Sequence, residues 1–339
     1  MRKSLTCLRA VLLTVSLVSL VGCAGNSGPG PATDRPVPSS PSGSSSAQGR
    51  IGTRVAALEF VMSHENTADA SYYPLERPSG VTFAADGTLI FCDESRGKVY
   101  GLEVGAARWY EFDAPLSRPY RPVDVQVDGF KILVLDRGGD NLFRFDLSGR
   151  WQDQLLDVAR VDPAVTTRGL AFDVDRDGRL IIADEAQQQV LLLDAFLTLN
   201  MRLGEPGSLD DQFGALAGVT FLPDGSILAS DTANSRLSWY GRLGFFERTV
   251  GGFYAADNVM ASPSGLDCDR FGNVFVADPG NSLIHVLDAR FRPVFSAGRD
   301  FSLRGTPVSP VDVAVGPDDL LAVIDQARTA ILVYRIIYE

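Results

Sequence analysis

Short apolar runs recur along residues 77–339 in a fixed order, and the order repeats six times. Each unit opens with an apolar strand. The six read RPSGVTF (77–83), RPVDVQV (121–127), TTRGLAF (166–172), ALAGVTF (215–221), SPSGLDC (262–268) and SPVDVAV (309–315). A turn and a second apolar run follow, and every second run ends in Asp: TLIFCD, KILVLD, RLIIAD, SILASD, NVFVAD and LLAVID. In four units Asp-Gly lies between the two runs, at Asp86-Gly87, Asp128-Gly129, Asp177-Gly178 and Asp224-Gly225. Asp-Gly between apolar runs signals a tight hairpin, because both central residues of a type I′ turn need positive φ. Third runs such as KVYGLEV and RLSWYGR come a few residues later. A less apolar fourth run, such as WYEFD (109–113) or FFERTV (245–250), completes most units.

The terminal Asp residues are Asp93, Asp136, Asp184, Asp231, Asp278 and Asp325, spaced by 43, 48, 47, 47 and 47. A period of about 40–50 residues with several strands per unit predicts a β-propeller. The sixth unit stops after its third strand, at Glu339, and an orphan apolar run, Val55 to Met62, precedes the first. That run is expected to supply the missing outer strand of the last blade, which closes the ring and leaves no long unpaired edge. The expected fold is all-β, a six-bladed propeller over residues 51–339. The recurrence of the terminal Asp in every unit marks it as structural, accepting backbone N–H bonds of an Asx-type turn.

The units resemble the NHL repeat, whose pattern is roughly P-x-G-V-A-x-D-x-x-G-N-V-Y-V-A-D. The resemblance is strongest in SPSGLDCDRFGNVFVADPGNSLIHVLD (262–288) and in residues 204–237. Units two and six depart from it, with Asp124 and Asp312 where Gly is usual. A WD40 pattern fits poorly, since no Trp-Asp pair ends the units. Membership in the NHL class implies a six-bladed ring. It leaves function open, because propellers carry both enzymes and binding scaffolds.

Residues 1–22 have a different character. Arg2, Lys3 and Arg9 precede a short apolar stretch, Ala10 to Val21, as in a secretory leader. The stretch is too short for a good membrane span. It ends in Leu20-Val21-Gly22-Cys23, which resembles a bacterial lipobox. That resemblance implies cleavage before Cys23 and acylation of its thiol. Ala rather than Asp at position 24 implies outer-membrane sorting in a Gram-negative cell. Residues 24–50 are rich in Gly, Pro and Ser and cannot bury a core. As a flexible coil this linker reaches roughly 28 Å. It is expected to hold the propeller near a membrane without docking it there, the anchor being the sole membrane contact.

Loss of three cations with the leader takes the formal charge from −11 to −14. So acidic a domain argues against nucleic-acid partners and against electrostatic docking to anionic lipid. Cys92 and Cys268 remain in the propeller, on blades that are not neighbours, and no disulfide is expected between them.

Candidate chemistry is sparse. Only His64 and His285 occur, too few for a His-ligated metal centre, and neither lies near a G-x-S-x-G motif. His64 is placed in the linker after the first strand. Asp173, Asp175 and Asp177-Gly178 resemble a D-x-D-x-D-G calcium loop, though Ile181 stands where a further Asp is needed. Calcium at these three residues is the one cofactor expectation. Asp124 and Asp312 are expected near the channel mouth. They are the acids a gluconolactonase-like metal hydrolase would use, although a third ligand is not evident. Arg77, Arg121 and Arg168 precede three consecutive first strands, with Tyr120 beside Arg121, and Tyr72 and Tyr73 lie nearby. Arg and Tyr are the commonest interface anchors. The expectation is therefore a lipid-anchored envelope scaffold that binds a protein or peptide at Arg77, Tyr120, Arg121 and Arg168. A metal-dependent lactonase or hydrolase is the alternative.

Overall fold

Twenty-four strands make six antiparallel four-stranded sheets in a computed structural model that describes residues 53–65, 75–105, 108–114, 120–252, 255, 259–298 and 305–339. The leader, Cys23, the 24–50 linker, Tyr72 and Tyr73 lie outside the described residues. A first strand, β1 (Val55–Glu65), precedes the blades. Blade one holds β2 (Pro78–Phe83), β3 (Thr88–Asp93), β4 (Lys98–Glu103) and β5 (Arg108–Glu111). Blade two holds β6 (Pro122–Asp128), β7 (Lys131–Asp136), β8 (Asn141–Asp146) and β9 (Trp151–Asp157). Blade three holds β10 (Gly169–Val174), β11 (Leu180–Asp184), β12 (Gln189–Leu193) and β13 (Leu199–Leu203). Blade four holds β14 (Leu216–Phe221), β15 (Ile227–Asp231), β16 (Arg236–Tyr240) and β17 (Phe246–Gly251). Blade five holds β18 (Leu266–Cys268), β19 (Val274–Asp278), β20 (Leu283–Leu287) and β21 (Pro293–Gly298). Blade six holds β22 (Pro310–Val315), β23 (Leu320–Asp325) and β24 (Ala330–Tyr338), with β1 hydrogen-bonded along β24.

Burial follows position in the blade. Second strands such as β11, β15 and β19 are buried at every residue, because each lies inside its sheet and between two blades. Outer strands such as β9 and β17 alternate or face solvent. The core is accordingly divided. Six apolar clusters occur among the described residues, each drawn mainly from two adjacent blades. Phe91 and Leu89 of blade one, for example, pack with Ile324 and Ile331 of blade six. Stability thus comes from blade-on-blade burial repeated around a circle.

The terminal Asp residues are all buried. Each ties the loop leading into its own first strand to the turn after the second strand. Asp93 accepts the backbone N–H groups of Glu76, Arg77 and Arg96 at 2.7, 3.1 and 3.2 Å. Asp325 does the same for Val308, Ser309 and Arg328. One carboxylate thereby satisfies several loop donors that burial would otherwise leave unpaired.

Antiparallel alternation gives the ring two distinct faces. The lead-in loops and the second-to-third-strand turns lie on one, called here the lead-in face. The first-to-second and third-to-fourth turns lie on the other, the turn face. Val55 pairs with Tyr338 and Glu65 with Ala330, so the chain enters the propeller on the turn face. His64 lies within β1, opposite Ile331, its ring 4.2 Å from Trp109. This corrects its assignment to a linker. The strand runs past Met62 through the polar residues Ser63, His64 and Glu65, held by pairing with β24, and His64 packs as a half-buried ring whose pKa burial lowers.

Candidate functional site: the channel and its mouth

Register against the second strands aligns the residue before Val81, Val125, Phe172, Val219, Leu266 and Val313 in all six blades. That residue is Gly80, Asp124, Ala171, Gly218, Gly265 and Asp312. These innermost positions surround a central cavity of about 260 Å³, lined also by Gln126, Thr220, Asp267, Arg137 and Gln326. Asp124 and Asp312 thus face the channel.

Their carboxylates are occupied by the fold. Asp124 accepts the N–H of Val125 at 2.8 Å and that of Phe172, in the next blade, at 2.8 Å. Asp312 accepts the N–H of Val81 across the junction of blades six and one at 2.9 Å. Two further acids repeat the device two residues deeper. Asp173 accepts from Val174 and from Phe221 of blade four, both at 2.7 Å. Asp267 accepts from Cys268 and from Val315 of blade six, again at 2.7 Å. Four carboxyls therefore staple four of the six blade junctions. The preceding blade leaves room for the upper pair. A Cβ on Gly80 would meet the Asp124 Cα at 2.4 Å, and one on Gly265 would meet the Asp312 Oδ1 at 2.1 Å. Between blades four and five the link is a hydroxyl, Ser230 Oγ donating to the Ser264 carbonyl at 2.6 Å.

Enclosure disfavours the charged form of all four acids. Burial pushes Asp124 up to about 7, Asp173 to about 6 and Asp267 to about 7. Asp312 rises well above the carboxylate range, through burial first and the nearby Asp124 charge second.

The three acids of the calcium expectation have different roles in this geometry. Asp173 points into the ring as a staple. Asp175 caps the hairpin, accepting from Asp177 N–H, Arg179 N–H and Arg179 Nε. Asp177 pairs with Arg242 of the next blade at 2.5 Å. The three carboxylates have separate partners and do not converge. Among the described residues no group of three or more His, Cys, Asp or Glu is arranged to hold a metal ion.

At the lead-in face the arginines are gathered by an acid that the sequence reading passed over. Glu94, the residue after Asp93, is buried and pairs with both Arg77 and Arg121, whose side chains stay half exposed. Arg137 and Glu185, which follow Asp136 and Asp184, pair across blades two and three. Arg168 is exposed, with its charge felt by Asp140. The signal was present, since a charged residue follows the terminal Asp in units one, two and three, but the lead-in arginines drew attention from it. Units four to six have Thr232, Pro279 and Gln326 there. At this one position blades one to three are charged and blades four to six are neutral.

Tyr120 departs from the expected surface patch. It borders a mouth cavity of about 220 Å³ with Arg77 and Arg121, but its ring packs toward Phe143 at 6.0 Å. Its hydroxyl is buried without a hydrogen-bond partner, and burial pushes its pKa well up. The phenol is therefore turned into the blade junction and away from a ligand.

His285 is wholly buried. Its Nε2 lies 2.9 Å from Asp278 Oδ2 and its Nδ1 2.8 Å from Ser296 Oγ, its cross-strand neighbour. Asp278 also accepts the N–H groups of Ala261 and Ser262. The chain of bonds knits the outer half of blade five to its lead-in loop. Cys92 is buried, Cys268 half-buried, and both are free thiols whose pKa burial raises.

No protein-family model and no curated protein sequence matches the chain. Solved structures do. A gluconolactonase from Xanthomonas campestris is similar at 15% identity and a TM-score of 0.60, over 84% of this chain and 98% of that one. A calcium-binding regucalcin from Agrobacterium tumefaciens matches at 17% and 0.57, over 78% and 91%. A streptogramin B lyase matches at 16% and 0.55, over 82% and 88%. Identities this low establish the six-bladed propeller and nothing about chemistry.

Proposed function

We propose that the chain is an NHL-like propeller, anchored in the bacterial envelope by an acylated Cys23, that captures a protein or peptide at the channel mouth over blades one to three. The observation that carries this reading is the Arg77–Glu94–Arg121 cluster. A single buried carboxylate holds two guanidinium groups in place and neutralises one of them. One cationic charge and half of each guanidinium remain for a partner. Guanidinium forks pair with carboxylates in bidentate geometry, so an acidic segment fits.

Replacing Arg121→Glu together with Arg168→Glu is expected to weaken partner capture from solubilised envelopes by more than about tenfold, as loss of charge-assisted contacts requires. The melting temperature should fall moderately, because Arg121→Glu sets a carboxylate beside the buried Glu94, while Arg168 is exposed, so capture is measured well below the variant's own melt. Arg176→Glu, on an exposed hairpin of the turn face, is the control. Arg179 is unsuitable for that purpose, since it donates to the Arg242 and Gly225 carbonyls of the next blade. Equal weakening by the mouth variant and by the control would reduce the effect to general electrostatics.

The anchor has its own test. Cys23→Ser should move the protein from the membrane to the soluble fraction after a carbonate wash, since anchoring rests on the acyl chains. Retention in the membrane fraction would show a different attachment.

The second reading, a metal-dependent hydrolase, draws on two features. Asp124 and Asp312 face one channel, and the similar solved structures include a gluconolactonase and a calcium-binding regucalcin. The donor set fits poorly, because the acids of the channel wall are already accepting backbone N–H bonds. A metal there would have to displace the blade staples. Titration with Ca²⁺ or Mn²⁺ separates the readings. A saturable rise in melting temperature that Asp312→Asn abolishes would favour the hydrolase.

A further inference from the structure

Four large apolar side chains stand out on the turn face. Phe130 is 86% exposed, Phe196 89%, Leu243 72% and Phe245 64%. Phe130 occupies the first-to-second turn of blade two, and the others the third-to-fourth turns of blades three and four. All lie on consecutive blades of one face. Each projects from the tip of a tight turn held by its own backbone. The Asp194 Oδ1 accepts the N–H groups of Phe196 and Thr198 at 2.9 and 3.0 Å, and the Gly241 N–H donates to the Phe245 carbonyl at 2.8 Å. The positions are therefore presented singly at turn tips, and only Leu243 also borders a cavity, one of about 450 Å³ shared with Asp177, Arg179, Leu192, Asn200 and Arg242. Lys131 adjoins Phe130, and Arg242, beside Leu243, is paired with Asp177, while the exposed acids Asp128 and Glu247 lie at the same turns.

The chain enters the propeller on this same face, where Val55 pairs with Tyr338 beneath blade six. The Gly/Pro/Ser-rich linker and the Cys23 motif lie immediately upstream. We infer that the turn face lies against the lipid surface, with Phe130, Phe196, Leu243 and Phe245 inserted at the headgroup boundary. This inference rests on the lipid-anchor reading and replaces a freely tethered domain with an oriented one. Attachment beneath blade six and insertion beneath blades two to four bracket the ring, so the disc lies flat. The arginine mouth then faces away from the membrane, open to a partner. Insertion of apolar tips needs no net positive charge, which suits an acidic domain.

Site-directed labelling tests the orientation in the intact acylated protein. Cysteine is placed at Phe196→Cys on the turn face and, separately, at Ser95→Cys on the lead-in face, and carries a polarity-sensitive fluorophore. The unsubstituted protein controls for reaction at Cys92 and Cys268. In phosphatidylcholine vesicles containing lipids brominated near the headgroup, quenching at position 196 should exceed that at position 95 by about threefold or more, as shallow insertion requires. Vesicle-bound protein quenched at neither site would keep the anchor and overturn the insertion, leaving the apolar rim to a protein partner. Stronger quenching at position 95 would invert the orientation and overturn the inference. Protein that does not associate with vesicles at all would overturn both the anchor and the insertion.

Discussion

Removal of residues 51–65 is expected to leave a chain that aggregates or melts far below the intact protein, whereas removal of residues 24–50 should leave the melting temperature almost unchanged. The first deletion strips β1 from β24, whose pairing runs from Val55–Tyr338 to Glu65–Ala330. It exposes the backbone edge of a nine-residue strand, AILVYRIIY, which is hydrophobic at every position but Arg335 and a template for intermolecular pairing. It also removes Val55, Leu58 and Phe60 from the junction of blades five and six and Met62 from that of blades six and one. Full burial of such a side chain is worth about 1.5–3 kcal/mol. Three of the four are only partly buried, so half that value is reasonable, and the loss is still about 4 kcal/mol. Against a total stability of about 5–15 kcal/mol, that removes much of the margin before edge exposure is counted. Phe60→Ala is the milder companion. Its ring lies edge-on to Tyr334 at 6.1 Å and against Gly305, and truncation should cost about 2–3 kcal/mol without opening the edge. Thermal melts followed by circular dichroism, with size exclusion to detect aggregation, make the comparison. Matching melts for the two deletions would show that β1 contributes nothing to closure.

The ring was legible because propeller sequences repeat their register. Spacings of 47 and 48 recur in the structure as hydrogen bonds. Asp124 reaches Phe172, Asp173 reaches Phe221 and Asp267 reaches Val315, each 48 residues on. What the repeat hides is the face a side chain takes. Asp173 reads as the first ligand of a calcium loop. Its pairing within β10, opposite Ile181, instead sets it level with Asp267, and its carboxylate reaches Phe221 of the next blade. Tyr120 and Arg121 are adjacent in sequence, yet one side chain turns under blade two while the other stays in solvent. Glu94 became important only when the fold brought Arg77 and Arg121, 44 positions apart, to the same carboxylate. In each case the deciding fact is a contact between blades, which a pattern within one repeat does not carry.

The carboxyl staples predict that the protein becomes more stable as pH falls from 8 to about 5, in the same sense as the loss of net negative charge toward the pI. The sign follows from proton linkage. An unfolded Asp titrates near 3.8, whereas folded Asp124 and Asp267 titrate near 7 and Asp173 near 6, all raised chiefly by burial. Between these limits the native state holds more protons than the unfolded state, so raising the pH through 6 to 7 removes stability. Each group contributes at most about 1.4 kcal/mol per pH unit of separation, and water in the channel reduces this. A rise in melting temperature of about 5–10 °C between pH 8 and pH 5.5 is the expected scale. Below pH 4 the trend must reverse. Asp162, bonded to Arg202 and held near 2, then begins to lose its stabilising charge. Asp124→Asn with Asp312→Asn separates the charge from the staple. The amide oxygen can accept one N–H at each site, but the amide nitrogen cannot accept the second. The double variant should therefore melt lower than the parent at pH 5.5, where the parent acids are largely protonated, and its melting temperature should vary less with pH. A parent protein whose melting temperature is flat or rises between pH 5.5 and 8 would mean that the channel acids are ionised and solvated. The channel would then be a wet, anionic lumen with its carboxylates free to meet a cation, and the hydrolase reading would gain at the expense of the scaffold.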